Sequence, residues 1–171
     1  MQKAVLRKCS CNSSWCPTCY KRQRTKKLTA RIQQMSYRRV RFVTLTIDRN
    51  LYPDGPESCY REIREKKGIA QFIHNLKRTS AHNITDYAWF MEWHRDGFPH
   101  WHVFVELEES GKAAMLGNRD LLRHWKRGAV YESYFTTAAH WYNATGYFQK
   151  HGYWEKGKKH QAILPDWERV C

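Results

Sequence analysis

A chain of 171 residues has room for one domain with at most a small appendage. Its 30 Lys+Arg against 16 Asp+Glu leave a formal net charge of +14 and a sequence pI of about 9.7, so the expected partner is a polyanion, nucleic acid first, bound in a salt-sensitive way. No apolar stretch approaches the length of a bilayer span, and the opening Met1-Gln-Lys-Ala-Val-Leu-Arg-Lys-Cys9 lacks the apolar core of a leader, which sets aside a membrane or secreted protein and predicts a soluble cytoplasmic one.

Aromatic residues make up 15% of the chain, with 8 Trp and 10 Tyr, more than a core of this size needs. Most are expected in the core and its rim, and some as platforms for unpaired bases, so single strands are favoured over duplex.

Residues 1–38 form a cysteine-rich, basic segment. Cys9, Cys11, Cys16 and Cys19 lie close together beside lysines and arginines that lower thiol pKa, the pattern of a structural Zn²⁺ site. Cys16-Pro-Thr-Cys19 has knuckle spacing, whereas Cys9-Ser-Cys11 is tighter, so the site is compact or one thiol is spare. Unligated thiols are the competing reading; Cys59 and Cys171 are isolated and carry no assignment. The run Lys21-Arg-Gln-Arg-Thr-Lys-Lys27, with Lys21, Arg22, Arg24, Lys26 and Lys27 as nucleic-acid contacts, leads into a helix through Arg31 to Met35.

Residues 39–171 read as a second unit. Residues 39–47 alternate and are β-branched, hence a strand, and residues 48–56 are a loop by their Pro, Gly and Asp content. Ser58 is placed to cap one helix running through Glu62, Ile69, Phe72, Ile73 and Leu76 despite Gly68. A hairpin follows, with its turn around Arg95-Asp-Gly97; residues 116–126 then read as a helix, 129–135 as a strand and 137–151 as a last helix ended by Gly152. The sum is an α+β domain, a central antiparallel sheet flanked by helices.

The hairpin carries the first chemical constellation. His100 and His102 are two apart on a strand and so present two imidazoles on one face, while Val103 and Val105 take the opposite parity and face the core. A turn near Gly97 brings Glu92 back opposite the histidines as an oxygen ligand. Two imidazoles and one carboxylate leave coordination positions open, which suits a divalent ion that must also hold a substrate oxygen.

The last helix carries the second. Tyr147 and Lys150, three apart, share a helical face, and a phenol can attack a phosphodiester if a metal withdraws charge from the phosphate and a cation steadies the developing charge. Tyr142 and Tyr153 are held in reserve as nucleophiles should the register differ.

Taken in order, Phe42-Val-Thr-Leu-Thr46, Glu92 with Gly97-Phe-Pro-His-Trp-His102, and Tyr147-Phe-Gln-Lys150 resemble the rolling-circle replication initiators of the HUH endonuclease superfamily, over residues 39 to about 155. The resemblance implies His100 and His102 as paired metal ligands, Glu92 as the acidic third, Tyr147 as nucleophile and Lys150 as the lysine one turn on. It implies Mg²⁺ or Mn²⁺ as catalytic ion, a 5′-phosphotyrosine with a free 3′-hydroxyl, and single-stranded DNA or an origin hairpin as substrate inside a host cell. His151 stands where a second catalytic tyrosine would be, so a single-tyrosine site is expected. No Gly-x-x-x-x-Gly-Lys-Ser/Thr occurs, so unwinding and synthesis fall to a host or separate helicase and polymerase. The alternatives are a transposase of the same superfamily and a non-catalytic zinc-bearing nucleic-acid-binding protein, which would leave His-Trp-His unexplained.

Overall fold

The computed structural model describes the backbone of residues 17–110 and 114–151, and the side chains of residues 26–110 and 114–146. Strand β1 (Val40–Leu45) pairs with β3 (Pro99–Leu107) on one side and β4 (Val130–Tyr134) on the other, and β2 (Ile84–Trp93) lies beyond β3. The sheet order is β2-β3-β1-β4 with every neighbouring pair antiparallel. The strands expected over 39–47 and 129–135 are present with slightly shorter bounds, as β-branched and aromatic alternation requires.

Helices cover both faces. On one, α2 (Pro56–Glu65), α3 (Gly68–Thr79) and α4 (Asn118–Trp125) bury Ile63, Phe72, Leu76, Leu121 and Trp125 against Val43, Leu45, Trp101, Val103 and Val105. On the other, α1 (Pro17–Gln34) and α5 (Ala138–His151) close over Val40, Ala88 and Phe104 through Ile32 and Trp141, joined by Met35 and Phe135 from the segments beside them. The packing therefore continues from α1 into β1 without a break at residue 38. Among the described residues, no helix is long and apolar enough to cross a membrane.

Three expectations need correction. The helix drawn from Ser58 through Leu76 is two helices, separated at Lys66 and Lys67, where Lys67 takes a left-handed conformation at φ 48°. Gly68 then lets α3 pack tightly on α2, since a Cβ there would lie 3.1 Å from Ile63 Cγ2. Ser58 is not the cap: the helix starts at Pro56, whose ring pre-sets the first helical φ and whose missing N–H costs nothing there, with Gly55 before it. Finally, the imidazole face of β3 is not free of core, because Phe104, two residues past His102, is fully buried under the α1 and α5 layer.

One glycine fixes how β4 enters the sheet. A Cβ on Gly128 would sit 2.3 Å from the Thr46 carbonyl oxygen and 2.7 Å from the Asp48 amide nitrogen, so only glycine lets the strands approach here. Neighbouring backbone bonds, Thr46 N–H to Ala129 O at 3.0 Å and Asp48 N–H to Arg127 O at 2.7 Å, hold the approach.

Candidate metal centre

The β2–β3 connection is a tight turn. Gly97 takes φ +84° and its N–H donates to His94 O at 2.9 Å, while His94 N–H donates to Phe98 O at 2.9 Å. Asp96 accepts from Phe98 N–H at 3.2 Å and pairs with Arg49, tying the turn to the segment after β1. The register this sets places Glu92 opposite His100 and Phe90 opposite His102; on the other side of β3, Thr44 is opposite His102. Directly opposed residues share a face, so one carboxylate, two imidazoles and a hydroxyl gather on one patch of the sheet.

Their donor atoms converge. His100 Nε2 and His102 Nε2 are 3.1 Å apart, and Glu92 Oε2 lies 3.1 Å from His102 Nε2 and 3.3 Å from His100 Nε2. Mg²⁺-type octahedral coordination at ~2.1 Å separates adjacent ligands by about 3.0 Å, and tetrahedral Zn²⁺ by about 3.3 Å, so the triangle fits a divalent ion without rearrangement. Two nitrogens and one oxygen suit a borderline-to-hard cation with open positions left for oxygen ligands. The histidine side chains are only 12% and 14% exposed and that of Glu92 24%, so the group is partly withdrawn from water yet open on one side.

The surroundings hold the rings. Thr44 Oγ1 lies 3.2 Å from His102 Nδ1, leaving Nε2 to face the cluster, and the Phe42 ring stacks on His102 at 5.2 Å with an interplanar angle of 7°. His94 packs on His100 at 4.2 Å between ring centroids; burial, then the charge of His100, lowers the His94 pKa, which favours its neutral form. His100 Nδ1 is buried with no hydrogen-bond partner among the described residues. Burial raises the Glu92 pKa, but hydrogen bonds from His100 and His102 outweigh it and hold the carboxyl down at about 2.

Of the residues expected from the sequence, Glu92, His100 and His102 are brought together. Tyr147 and Lys150 lie in the last turns of α5, with side chains outside those described. Cys9, Cys11, Cys16, Gly152, Tyr153 and Cys171 lie outside the described residues. Cys19, Lys21, Arg22 and Arg24 fall in α1, which takes in the basic run, but again without described side chains; Lys26 and Lys27 are exposed on it. Tyr142 is exposed on α5, and Cys59 is buried and free. Sequence reasoning missed Thr44, Phe42 and His94 as neighbours of the cluster. The parity of Phe42-Val-Thr-Leu-Thr46 puts Phe42 and Thr44 on one face, but only the β1–β3 register shows that it is the histidine face.

A four-stranded antiparallel sheet with helices on both faces, and a His-His-Glu cluster on its second hairpin, defines an α+β protein with a candidate divalent-metal centre. Residues 40–158 match the family described as Replication-associated protein ORF2, well over half of the chain, and the chain belongs to that family. Its function is thereby replication-associated, and its +14 charge accords with DNA as partner. No curated protein and no solved structure matches the chain.

Proposed function

We propose that this chain is a rolling-circle replication initiator of the HUH endonuclease type, which nicks and rejoins single-stranded DNA at an origin. The observation that carries the reading is the convergence of Glu92 Oε2, His100 Nε2 and His102 Nε2 within 3.3 Å of one another, in a chain of a replication-associated family.

Glu92, His100 and His102 would hold a Mg²⁺ or Mn²⁺, and Thr44 would keep His102 in the tautomer that presents Nε2. The bound ion supplies Lewis-acid polarisation of the scissile phosphate. Tyr147 Oη, losing its proton, attacks phosphorus; the bond from phosphorus to the 3′ oxygen breaks, and that oxygen leaves as a 3′-hydroxyl after taking up a proton. The phosphodiester persists as a 5′-phosphotyrosine, so attack by a 3′-hydroxyl reverses the step and joins strands without ATP. Lys150 offsets the negative charge that develops on the phosphoryl oxygens. The 63% exposed ring of Tyr131, opposite Thr44 on the same face, offers a base a stacking surface beside the cluster.

The N-terminal thiols Cys9, Cys11, Cys16 and Cys19 would hold a structural Zn²⁺, and the basic run of α1 would grip the origin. Because Ile32 and Met35 are core residues, the deletion that tests this should end at residue 16.

The deciding experiment incubates the chain and Tyr147→Phe with Mn²⁺ and labelled single-stranded DNA from its own replicon, followed by denaturing gel and peptide mapping. An adduct on Tyr147, lost in the variant and in chelator, is the expected result. Persistence of the adduct in Tyr147→Phe would move the nucleophile to Tyr142 or Tyr153. Absence of any adduct while DNA binding persists would refute the enzyme.

A further inference from the structure

The layer of helices on the far side of the sheet from the metal cluster ends in a concentration of positive charge. Helix α3 finishes with Lys77 and Arg78, and α4 with Arg123 and His124 followed by Lys126. The two ends are tied by Thr79 Oγ1 and His124 Nε2 at 2.7 Å. Burial lowers the pKa of His124, and the charges of Arg123, Arg78 and Lys126 add to the effect against the opposing pull of Asp120, so these cations surround one imidazole.

Lys77, Arg78, Arg123 and Lys126 are all exposed, and none makes an ion pair among the described residues. The contrast with α2 is direct, since Arg61 and Lys66 there are matched by Glu57 and Glu62. Asp86, the carboxylate that feels Lys77, is taken by Arg31. Helix C-termini favour nearby cations by about 0.3–1 kcal/mol each, which accounts for a cation at either end. It does not account for two such ends placed side by side with no carboxylate paired between them.

We infer that the paired ends of α3 and α4 form a second nucleic-acid contact, which takes the phosphate backbone of duplex DNA flanking the single-stranded substrate. The patch has the chemistry of backbone recognition: cations on a convex helical surface, and one ring, Tyr87, half-buried with Lys77 Nζ 5.1 Å from its centroid. Duplex presents a phosphate charge every ~1.7 Å of axis, twice the density of one strand, and so suits clustered cations better than a stacking surface does. A cleft of about 390 Å³ lined by His74, Lys77, Arg78 and Tyr87 opens where α3 meets β2. Strand β2 also carries Glu92, so DNA leaving the metal face would reach the patch around this edge. The inference rests on the proposed function only for the identity of the DNA, and its test needs no cleavage.

The test compares the full chain with Arg78→Gln/Arg123→Gln and with Arg61→Gln/Lys66→Gln, which removes the same charge from paired positions. Affinity for a blunt duplex of unrelated sequence is measured as salt rises, with circular dichroism to confirm folding. Loss of two phosphate contacts should cut the salt slope by about 1.8, so the affinity lost between about 50 and 200 mM salt shrinks about twelvefold in the first variant alone. Nicking of a short single-stranded oligonucleotide, if the chain nicks, should be unchanged. An equal effect in both variants would reduce the patch to net charge and overturn the inference. No effect in either would also overturn it, leaving the surface to an acidic protein partner. A chain that never nicks yet shows the slope change would fail the proposed function and keep this one.

Discussion

Thr44 offers the sharpest test that the cluster on β3 is a metal centre rather than a buried polar patch. Thr44→Val removes the hydroxyl 3.2 Å from His102 Nδ1 and keeps a β-branched side chain in the strand. That distance is long for a bond of this kind, so its net worth is about 1 kcal/mol, roughly a fivefold change in affinity if all of it reaches the bound ion. Freeing the ring to reorient adds to this, since partners that orient metal-bound imidazoles are typically worth about 10- to 100-fold. We expect Mn²⁺ affinity to fall about tenfold, with the metal-free fold changed by less than about 1 kcal/mol.

Calorimetric titration reads the affinity directly, and thermal unfolding checks it. At Mn²⁺ about 100 times the wild-type Kd, bound metal stabilises the wild type by about 2.7 kcal/mol and the variant by about 1.4 kcal/mol. Thr46→Val is the control, because the Thr46 hydroxyl donates to Ala129 O at 3.1 Å and does not touch a histidine. Unchanged Mn²⁺ affinity in Thr44→Val, or a wild type that Mn²⁺ does not stabilise, would refute the argument.

Three further outcomes follow from the geometry. Tyr131→Ala should weaken single-strand binding about 5- to 150-fold, the worth of one stacked base, while Tyr131→Trp retains it in a filter-binding assay; equal loss in both would remove the stacking role. Gly128→Ala should cost about 1–3 kcal/mol in urea unfolding, because the added methyl meets the backbone of Thr46 and Asp48, which cannot yield as a side chain tip would. Cys59 is pushed up to about 12, chiefly by burial, so its stabilising contribution is complete below the unfolded thiol pKa of about 8.5 and declines as pH rises from there towards 12. Mapped alkylation at pH 8 should therefore spare Cys59 until the protein unfolds, and rapid labelling of the native chain would contradict its burial.

The hairpin was legible because alternation and turn chemistry agree: apolar arms, then Asp96-Gly97, leave one register that keeps Trp101 and Val103 buried. That register alone carries Glu92 to His100. The α2–α3 break was not legible, because Cys59, Ile63 and Ile69 keep helical spacing across it, and only the left-handed Lys67 shows that the chain turns there. Thr44 as a partner of His102 was hidden for another reason: its strand lies 58 positions away, and the sequence does not say which two strands flank β3. The charge on α3 and α4 was equally obscure, since Arg78 and Arg123 become neighbours only through Thr79 and His124.

His100-Trp101-His102 is best understood as one device rather than two ligands with a spacer. The parity that turns both imidazoles to the open patch turns the Trp101 ring, 2% exposed, into the opposite core, where it meets Trp125 at 5.6 Å. Trp125 in turn donates from Nε1 to Thr46 O at 2.7 Å, which anchors α4 to the end of β1 beside Thr44. The backbone that aims the histidines is thus clamped from behind by the largest side chains in the core, while Phe42 and His94 restrain the rings from the front. Preorganisation of this kind explains why three polar groups can converge within 3.3 Å before any ion is bound. It also separates the two costs of mutation at this motif. Trp101→Ala should lower stability by about 3–5 kcal/mol through the cavity it leaves, whereas loss of either imidazole should leave the fold and remove the response to metal.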